Sequence, residues 1–561
     1  MFRKSPWPQL ILLAVVMVVS VSILNNSFAN NEQMYLKLDK GLFYLKQVYE
    51  TISQNYVDEV DPEGLSKSAI HGIVEELDPY TVFFEKKGSE QLDVITKGKY
   101  GGLGMEISKQ KGNITVISPI DNTPAKRAGI RAGDIITKIG NEETGQMTLE
   151  EASGKLRGQA GTEVTLELQR PGLSDPIKLT MTREDIVIKD VSYADFIEPG
   201  TAFLRLSSFS DKAASELKEA IRQLEKETKI ERVILDLRGN PGGLLASAVE
   251  VGNVFLPKGE LMVETRGTHE REAKFNTPQN SILGDVPLVV LVDGGSASAS
   301  EIVAGAIQDL DRGVVIGSRT FGKGLVQQVY PVDKVNDAFL KITTAKYYIP
   351  SGRCIQKEDY KRNKDVFTNM ADTADFNNHK KYFTRNGRTV YGGGGISPDI
   401  EVDNPEMDQY IIALWIQGHF FNFTVDYLAD HPDTRVDNGF RVTDQMVQDF
   451  KLYLEQKDMD FEIEGESELE KFLDLAQEEE YSEDMVDLVT VALQKLQQEK
   501  TVQFEKHTEE IKQALETEFA EKLGGSAARI ATLLKYDESV NSAKQVLKQP
   551  QEYRQILAVK N

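Results

Sequence analysis

The stretch that most constrains this chain begins with an apolar run, Pro287-Leu-Val-Val-Leu-Val292. It passes through Asp293-Gly-Gly-Ser-Ala-Ser-Ala-Ser-Glu301 and enters Ile302-Val-Ala-Gly-Ala-Ile307. A short apolar run bounded by turn residues reads as a buried strand, and the small-residue segment after it as a helix. A serine in the tight turn between them stands exposed at the strand's end, where helix N–H groups point. Further on, Lys323 lies between Gly322 and Gly324, with nothing beside it to crowd its approach. The candidate chemistry is a serine nucleophile from this turn, which holds Ser296, Ser298 and Ser300, with a lysine base, Lys323, a variant of the serine–histidine arrangement.

Other chemistries fare worse. A net charge of −23 repels nucleic acid phosphates and anionic membrane surfaces, and mostly confers solubility. One cysteine, Cys354, excludes an internal disulfide, and there is no Cys-x-x-Cys pattern. The six histidines are scattered, so no metal site and no cofactor is expected. A lone cysteine is more often simply packed than nucleophilic.

The N-terminus reads as a targeting segment. Arg3 and Lys4 precede an apolar run from Leu10 to Leu24, followed by Ser27-Phe28-Ala29 with small residues where a signal peptidase reads. Residues 1–29 are taken as a signal peptide, with a retained inner-membrane anchor as the alternative. Either way the chain is exported to the periplasm or cell envelope, and it meets the membrane only through this segment. At 561 residues the remainder should form three or four units.

Residues 30–95 show helical spacing in Leu38, Leu42, Leu45 and Val48, then in Leu65, Ala69, Ile73 and Leu77; these helices are expected to pack on a core or on a second subunit. Residues 96–184 are β-rich, with a glycine-rich loop, Gly102-Leu103-Gly104-Met105, leading into a strand. Successive N–H groups in such a loop form an anion nest, and the strand after it offers an edge to a peptide. Residues 185–402 alternate strands and helices. Within them Arg232-Val-Ile-Leu-Asp-Leu237 runs into Arg238-Gly-Asn-Pro-Gly-Gly243 and a helix, the geometry of an anion site; no Gly-Lys-Ser/Thr follows, so a P-loop is excluded. Lys357 to Tyr391 is polar and reads as a surface excursion. Residues 403–561 are helical and acidic. The more apolar Gln409–Trp415 helix is expected to pack on the core, and runs such as Glu478-Glu-Glu480 to face solvent.

Ser-Ala-Ser-Ala-Ser-Glu followed by Phe-Gly-Lys-Gly-Leu-Val-Gln resembles the tail-specific, or C-terminal processing, serine peptidases. The resemblance runs over about residues 35–402, and the acidic helical region lies beyond it. It implies an α/β and α+β multidomain protein: a crotonase-like α/β peptidase core with an inserted PDZ domain, of the circularly permuted bacterial kind, and helical N- and C-terminal regions. It implies that Ser298 and Lys323 form a dyad, that Gln327 orients the lysine, and that Asp236-Leu-Arg-Gly-Asn-Pro-Gly-Gly243 borders the site. Gly242 or Gly243 would then supply one oxyanion donor and Ala299 the other. Gly102, Leu103, Gly104 and Met105 would bind a substrate's terminal carboxylate. Expected partners are exported proteins with accessible apolar C-termini, with an adaptor protein and a second copy of the chain as candidates. Two alternatives remain open, a catalytically silent peptide-binding protein on the same fold and an acyl-CoA enzyme of the crotonase type; the acidic balance and the PDZ unit weigh against the second.

Overall fold

The computed structural model describes residues 33–85, 94, 96–335, 337–357, 380–402, 407–435, 440–457, 459 and 461–558. The targeting segment, residues 1–29, lies outside them. The chain divides into two units after Phe83. In the first, helices over residues 33–55 and Pro62–Glu75 follow the expected spacing. Asp61 caps the second by accepting from the Glu63 N–H, with Pro62 at its first position. The Ser66 hydroxyl lies 3.1 Å from the Tyr49 hydroxyl and links the two helices. Within this unit Leu38, Leu42, Leu45 and Val48 all stand exposed.

In the second unit, residues 105–182 form an antiparallel sheet. Met105–Gln110 is its edge strand, paired with Asn113–Pro119 on one side only. The helix Leu149–Leu156, closed by a Thr148–Glu151 capping box, packs against this edge strand. Lys99–Gly102 and Glu184–Val187 pair with each other where the chain enters and leaves this sheet.

The centre of the second unit is a six-stranded sheet in the order Val191–Glu198, Thr201–Leu206, Arg232–Asp236, Leu288–Val292, Val314–Gly317, Ile400–Glu401. The first pair is antiparallel and every other pair parallel. Parallel strands must be covered on both faces, and their side chains alternate accordingly. Leu204, Val233, Leu235, Val290 and Val292 meet the helices Ala213–Glu227, Leu245–Phe255 and Ala299–Asp309. Phe203, Ile234, Val289, Leu291 and Ile316 face the other way, against Ile530, Leu534, Val540, Ala543, Val546 and Leu547.

The end of the chain therefore supplies the second cover of the central sheet, a role its acidic composition does not disclose. Tyr553 adds to the docking, its hydroxyl accepting from the Leu288 N–H at 3.0 Å and lying 3.1 Å from the Leu288 carbonyl. The helix Thr508–Leu533 breaks at Gly525, whose φ of 72° a glycine adopts without penalty. Before the break, Ile511, Leu515 and Phe519 join an aromatic-rich core with Phe420, Phe423 and Phe450. After it, Ile530 lies on the sheet. The helix Gln409–Ile416 belongs to that aromatic core and not, as expected, to the peptidase-like one.

Of Lys357–Tyr391, residues 358–379 lie outside the described residues. The rest is mostly exposed, as the surface reading expects, but it is tied down: Lys381–Phe383 pairs with Thr389–Tyr391, and Arg388 bonds Asp311 at 2.6 Å and Asp399 at 2.5 Å in a largely buried network. Composition alone cannot separate a solvated charge from a paired one. Among the described residues no helix is long and apolar enough to cross a membrane.

The sheet cover gives a direct test. Leu547→Ala should cost about 2–5 kcal/mol in chemical denaturation, as for a buried leucine. Leu488→Ala, at a position 66% exposed, should stay within about 0.5 kcal/mol. Equal effects would mean that the last helices do not cover the sheet.

Candidate active site

Arg232–Asp236 and Leu288–Val292 are adjacent parallel strands, so the loops after them emerge side by side at the carboxyl edge of the sheet, where open α/β sheets place their sites. Asn240 laces the two loops together. Its amide donates to the Leu206 carbonyl at 2.7 Å and its Oδ1 accepts from the Gly242 N–H at 2.9 Å. Its own carbonyl accepts from the Ala297 N–H at 3.0 Å and the Ser300 hydroxyl at 2.9 Å. From the other loop, Asp293 Oδ1 accepts from the N–H groups of Gly239 and Gly295, both at 2.9 Å. Ser296 donates to the Leu237 carbonyl at 2.8 Å. Ser296 and Ser300 thus commit their hydroxyls to backbone carbonyls.

Ser298 differs from both. It has φ 55° and ψ −110°, a sparsely populated conformation for a residue with a side chain, at the entry to the helix Ala299–Asp309. It is half-buried between the buried Ala297 and Ala299. This is the strained strand-to-helix elbow that lifts a serine out of a sheet. Gly242 packs directly beneath it; a Cβ there would lie 2.7 Å from the Ala297 carbonyl oxygen, 2.8 Å from the Ala299 nitrogen and 2.9 Å from Ser298 Cβ. With φ 98° as well, position 242 admits only glycine.

The N–H of Gly242 is already held by Asn240. The N–H groups of Gly243 and Ala299 donate to no acceptor among the described residues. Of the two glycines considered from the sequence, Gly243 is therefore the one with a donor to offer.

Lys323 lies in the loop before the strand Leu325–Asp333, which pairs with Ala338–Tyr348. Two side chains join its backbone to that of Ser298. Glu301 Oε2 accepts from the Ser298 N–H at 2.8 Å and from the Lys323 N–H at 2.9 Å. Glu301 Oε1 accepts from the Gly322 N–H at 2.7 Å and the Thr320 hydroxyl at 2.6 Å. The Tyr347 hydroxyl lies 3.1 Å from the Ser298 carbonyl and is also hydrogen-bonded to the Lys323 carbonyl. Glu301 is fully buried, and that burial pushes its carboxyl up to about 7 against the lowering effect of its four donors.

Glu301 went without a role in the sequence analysis, although Ser298-x-x-Glu301 is the capping-box spacing that would have flagged it. It also bears on the surroundings of Lys323, which no acid flanks in the sequence. Glu301 arrives through the fold and meets the lysine's backbone.

Gln327 sits in the strand after the lysine at a register irregularity, half-buried, with its Nε2 buried and without a hydrogen-bond partner. Gly102, Leu103, Gly104 and Met105 are brought together elsewhere, at the start of the open edge strand Met105–Gln110. Gly104 has φ 76°, and a Cβ there would lie 2.4 Å from Thr123. The N–H groups of Leu103 and Gly104 donate to no acceptor among the described residues, as an anion nest requires. Cys354 is half-buried, and that burial pushes its thiol up and away from nucleophilic behaviour.

Comparison with known proteins agrees with this architecture. Residues 200–366 match the model of peptidase family S41, and residues 115–170 that of a PDZ domain. Residues 410–547 match the C-terminal helical domain of a probable PDZ-protease, which carries the likeness into the region first placed beyond it. Residues 16–88 match the N-terminal domain of the activating protease CtpB. The chain is 39% identical to a carboxy-terminal-processing protease of Bartonella bacilliformis over 349 residues, 62% of this chain and 78% of that one. It is 34% identical to a probable CtpA-like serine protease of Staphylococcus aureus over 362 residues, 64% of this chain and 71% of that one. Among solved structures, the photosystem II D1 C-terminal processing protease is 27% identical, with a TM-score of 0.33 over 64% of this chain and 91% of that chain. The identity and coverage of these curated relatives, with the S41 and PDZ matches, establish that the chain belongs to the carboxy-terminal-processing proteases, PDZ-containing serine peptidases of family S41.

Proposed function

We propose that the chain cleaves exported proteins whose apolar C-terminal tails engage its PDZ unit, using Ser298 as nucleophile and Lys323 as general base. The convergence of three features at one sheet edge carries this: the strained Ser298 elbow, the unengaged N–H groups of Gly243 and Ala299 beside it, and a Lys323 backbone tied to that of Ser298 through Glu301. Ser298 Oγ attacks the scissile carbonyl carbon while its proton passes to Lys323 Nζ. The oxyanion that forms is held by the N–H groups of Gly243 and Ala299, each worth roughly a hundredfold or more in rate. Collapse expels the amine, which takes the proton from Lys323. Water, activated by Lys323, then cleaves the acyl ester and restores Ser298. The unpartnered Nε2 of Gln327 leaves this side chain free to meet the lysine it is expected to orient, whose charge a neutral amide does not stabilise as a carboxylate would.

The free N–H groups of Leu103 and Gly104 and the open edge of Met105–Gln110 support capture of the tail by strand addition, with the carboxylate in the loop. The parallel strand–helix alternation of the core supports reading it as crotonase-like. Arg3, Lys4 and the apolar run Leu10–Leu24 support export to the periplasm or envelope.

The test is cleavage of an unstructured protein with an apolar C-terminus. Ser298→Ala and Lys323→Ala should each bind the tail as wild type does and lose cleavage by about a thousandfold or more. Full activity in Lys323→Ala would place the base elsewhere.

Glu301 yields a second prediction with two opposite pH trends. All four of its partners are donors, so the clamp is complete only when the carboxyl is ionised. Glu301→Gln replaces an acceptor with a donor and should lower kcat by about tenfold or more, one or more backbone N–H groups being left unpaired. The wild-type to variant ratio of kcat should grow as pH rises through about 7. Stability runs the other way. Because the folded value lies above the ordinary 4.5, the folded protein keeps a proton that the unfolded chain releases. That contribution is full below about 4.5 and lost as pH rises to about 7, so the stability of wild type relative to Glu301→Gln should fall over this window. A pH-independent difference in either quantity would sink the assignment.

A further inference from the structure

The chain leaves the PDZ unit through Ile188–Val191, and there a carboxylate with no part in the chemistry above is fully buried. Asp190 Oδ1 accepts from the Ser210 N–H at 3.1 Å and from the Ser208 hydroxyl, and its Oδ2 accepts from the Ser210 hydroxyl. Its carbonyl accepts from the Ser207 N–H at 2.8 Å, and its own N–H donates to Glu216 at 2.8 Å. Asp190 therefore holds the whole turn Ser207–Ser210. At the middle of that turn is Phe209, fully buried, which pairs with the oxyanion loop as a short parallel bridge. The Phe209 N–H donates to the Gly242 carbonyl at 3.2 Å, and the Phe209 carbonyl accepts from the Leu244 N–H at 2.8 Å.

The first of these bonds matters most. The carbonyl of Gly242 and the N–H of Gly243 belong to one planar trans peptide and point in opposite directions. Fixing the carbonyl on Phe209 fixes the heading of the Gly243 N–H. Without that bond the peptide is poorly restrained, since it lies between two glycines at φ 98° and 156°.

We propose that Asp190 is a positioning residue for the reaction: by holding Ser207–Ser210 it locks the Gly242–Gly243 peptide with the Gly243 N–H aimed at the oxyanion. This rests on the Ser298 peptidase reading and on Gly243 as donor. It assigns to the exit from the PDZ unit a part in transition-state stabilisation and none in substrate binding.

The experiment uses the full chain, with Asp190→Asn and, as an independent break of the same link, Ser208→Ala/Ser210→Ala. Four quantities are compared with wild type: kcat and KM on an unstructured substrate, affinity for a tail peptide, the thermal midpoint, and inhibition by a peptide boronic acid. The boronate bonds to a serine nucleophile and places an oxygen where the oxyanion would form, so it reports on the transition-state site. Both variants should lose about ten- to a hundredfold in kcat, and boronate affinity should fall by the same factor. KM and tail affinity should stay within about twofold, the mark of an interaction made only in the transition state. Wild-type kcat and boronate affinity in both variants would overturn the proposal. So would a fall in kcat matched by falls in tail affinity and thermal midpoint, which marks a role in folding alone. A wild-type protein that neither cleaves nor takes up the boronate would overturn the peptidase reading itself, and this inference with it.

Discussion

The site depends on the carboxylate of Glu301. Burying a carboxylate costs several kcal/mol unless its oxygens are satisfied, and here each oxygen accepts two donors. What the fold gains is registration. Ser298 and Lys323 lie on different segments, one at a helix entry and the other in a loop before a strand. Their backbones are referred to the same oxygen, Oε2, at 2.8 and 2.9 Å. Tyr347 makes the matching link between their carbonyls. A base is useful only when its reach to the nucleophile is set within tenths of an ångström, and two backbones held by one buried group carry their side chains closer to that than two backbones each held separately.

Sheet topology does the coarser positioning. Adjacent parallel strands end at the same edge, so the Asn-Pro-Gly-Gly turn and the serine elbow are neighbours before any side chain acts. Asn240 and Asp293 then cross-link the turns, and Gly242 lets them approach until no side chain fits between them. The strain at Ser298, at φ 55°, is maintained because the elbow is held from three directions: Asn240 below, Glu301 ahead in the helix, and Tyr347 from the strand hairpin.

Much of this was legible in the sequence wherever the signal was local. The strand–turn–helix around Ser298, the glycine-flanked Lys323, the glycine turn after Leu237 and the glycine loop before Met105 are short patterns whose geometry follows from their own residues. What could not be read is what depends on partners distant in the chain. Glu301 was visible as a capping-box residue, but its hold on Gly322 and Lys323 exists only once the Lys323 loop is folded against the helix. Asp190 lies in a stretch with no motif at all, and its value comes from Ser208 and Ser210. Which of Gly242 and Gly243 keeps an unengaged N–H depends on the one Asn240 takes. Arg388 looked like surface charge because its acidic partners, Asp311 and Asp399, belong to other loops.

The packing of the acidic C-terminal region was not legible for a related reason. Its amphipathic spacing said that some face would be buried but not against what, and an acidic composition favoured solvent. The alternation in the central strands held the missing half. Phe203, Ile234, Val289, Leu291 and Ile316 are too apolar to face water, and the three helices of the core segment cover only the opposite face. A second cover was therefore required, and among the described residues of the second unit the other long helices lie beyond residue 408. Because one helix, interrupted at Gly525, runs from the aromatic core onto this sheet, the C-terminal region and the catalytic sheet share a load path. Arg238 ends that path beside the chemistry. It is paired at once with Asp236, at the end of its own strand, and with Asp537, at the cap of the helix Glu538–Lys548. The glycine turn proposed to supply the oxyanion donor thus begins at a residue clamped by the C-terminal cover, so the C-terminal region helps to set where that turn starts.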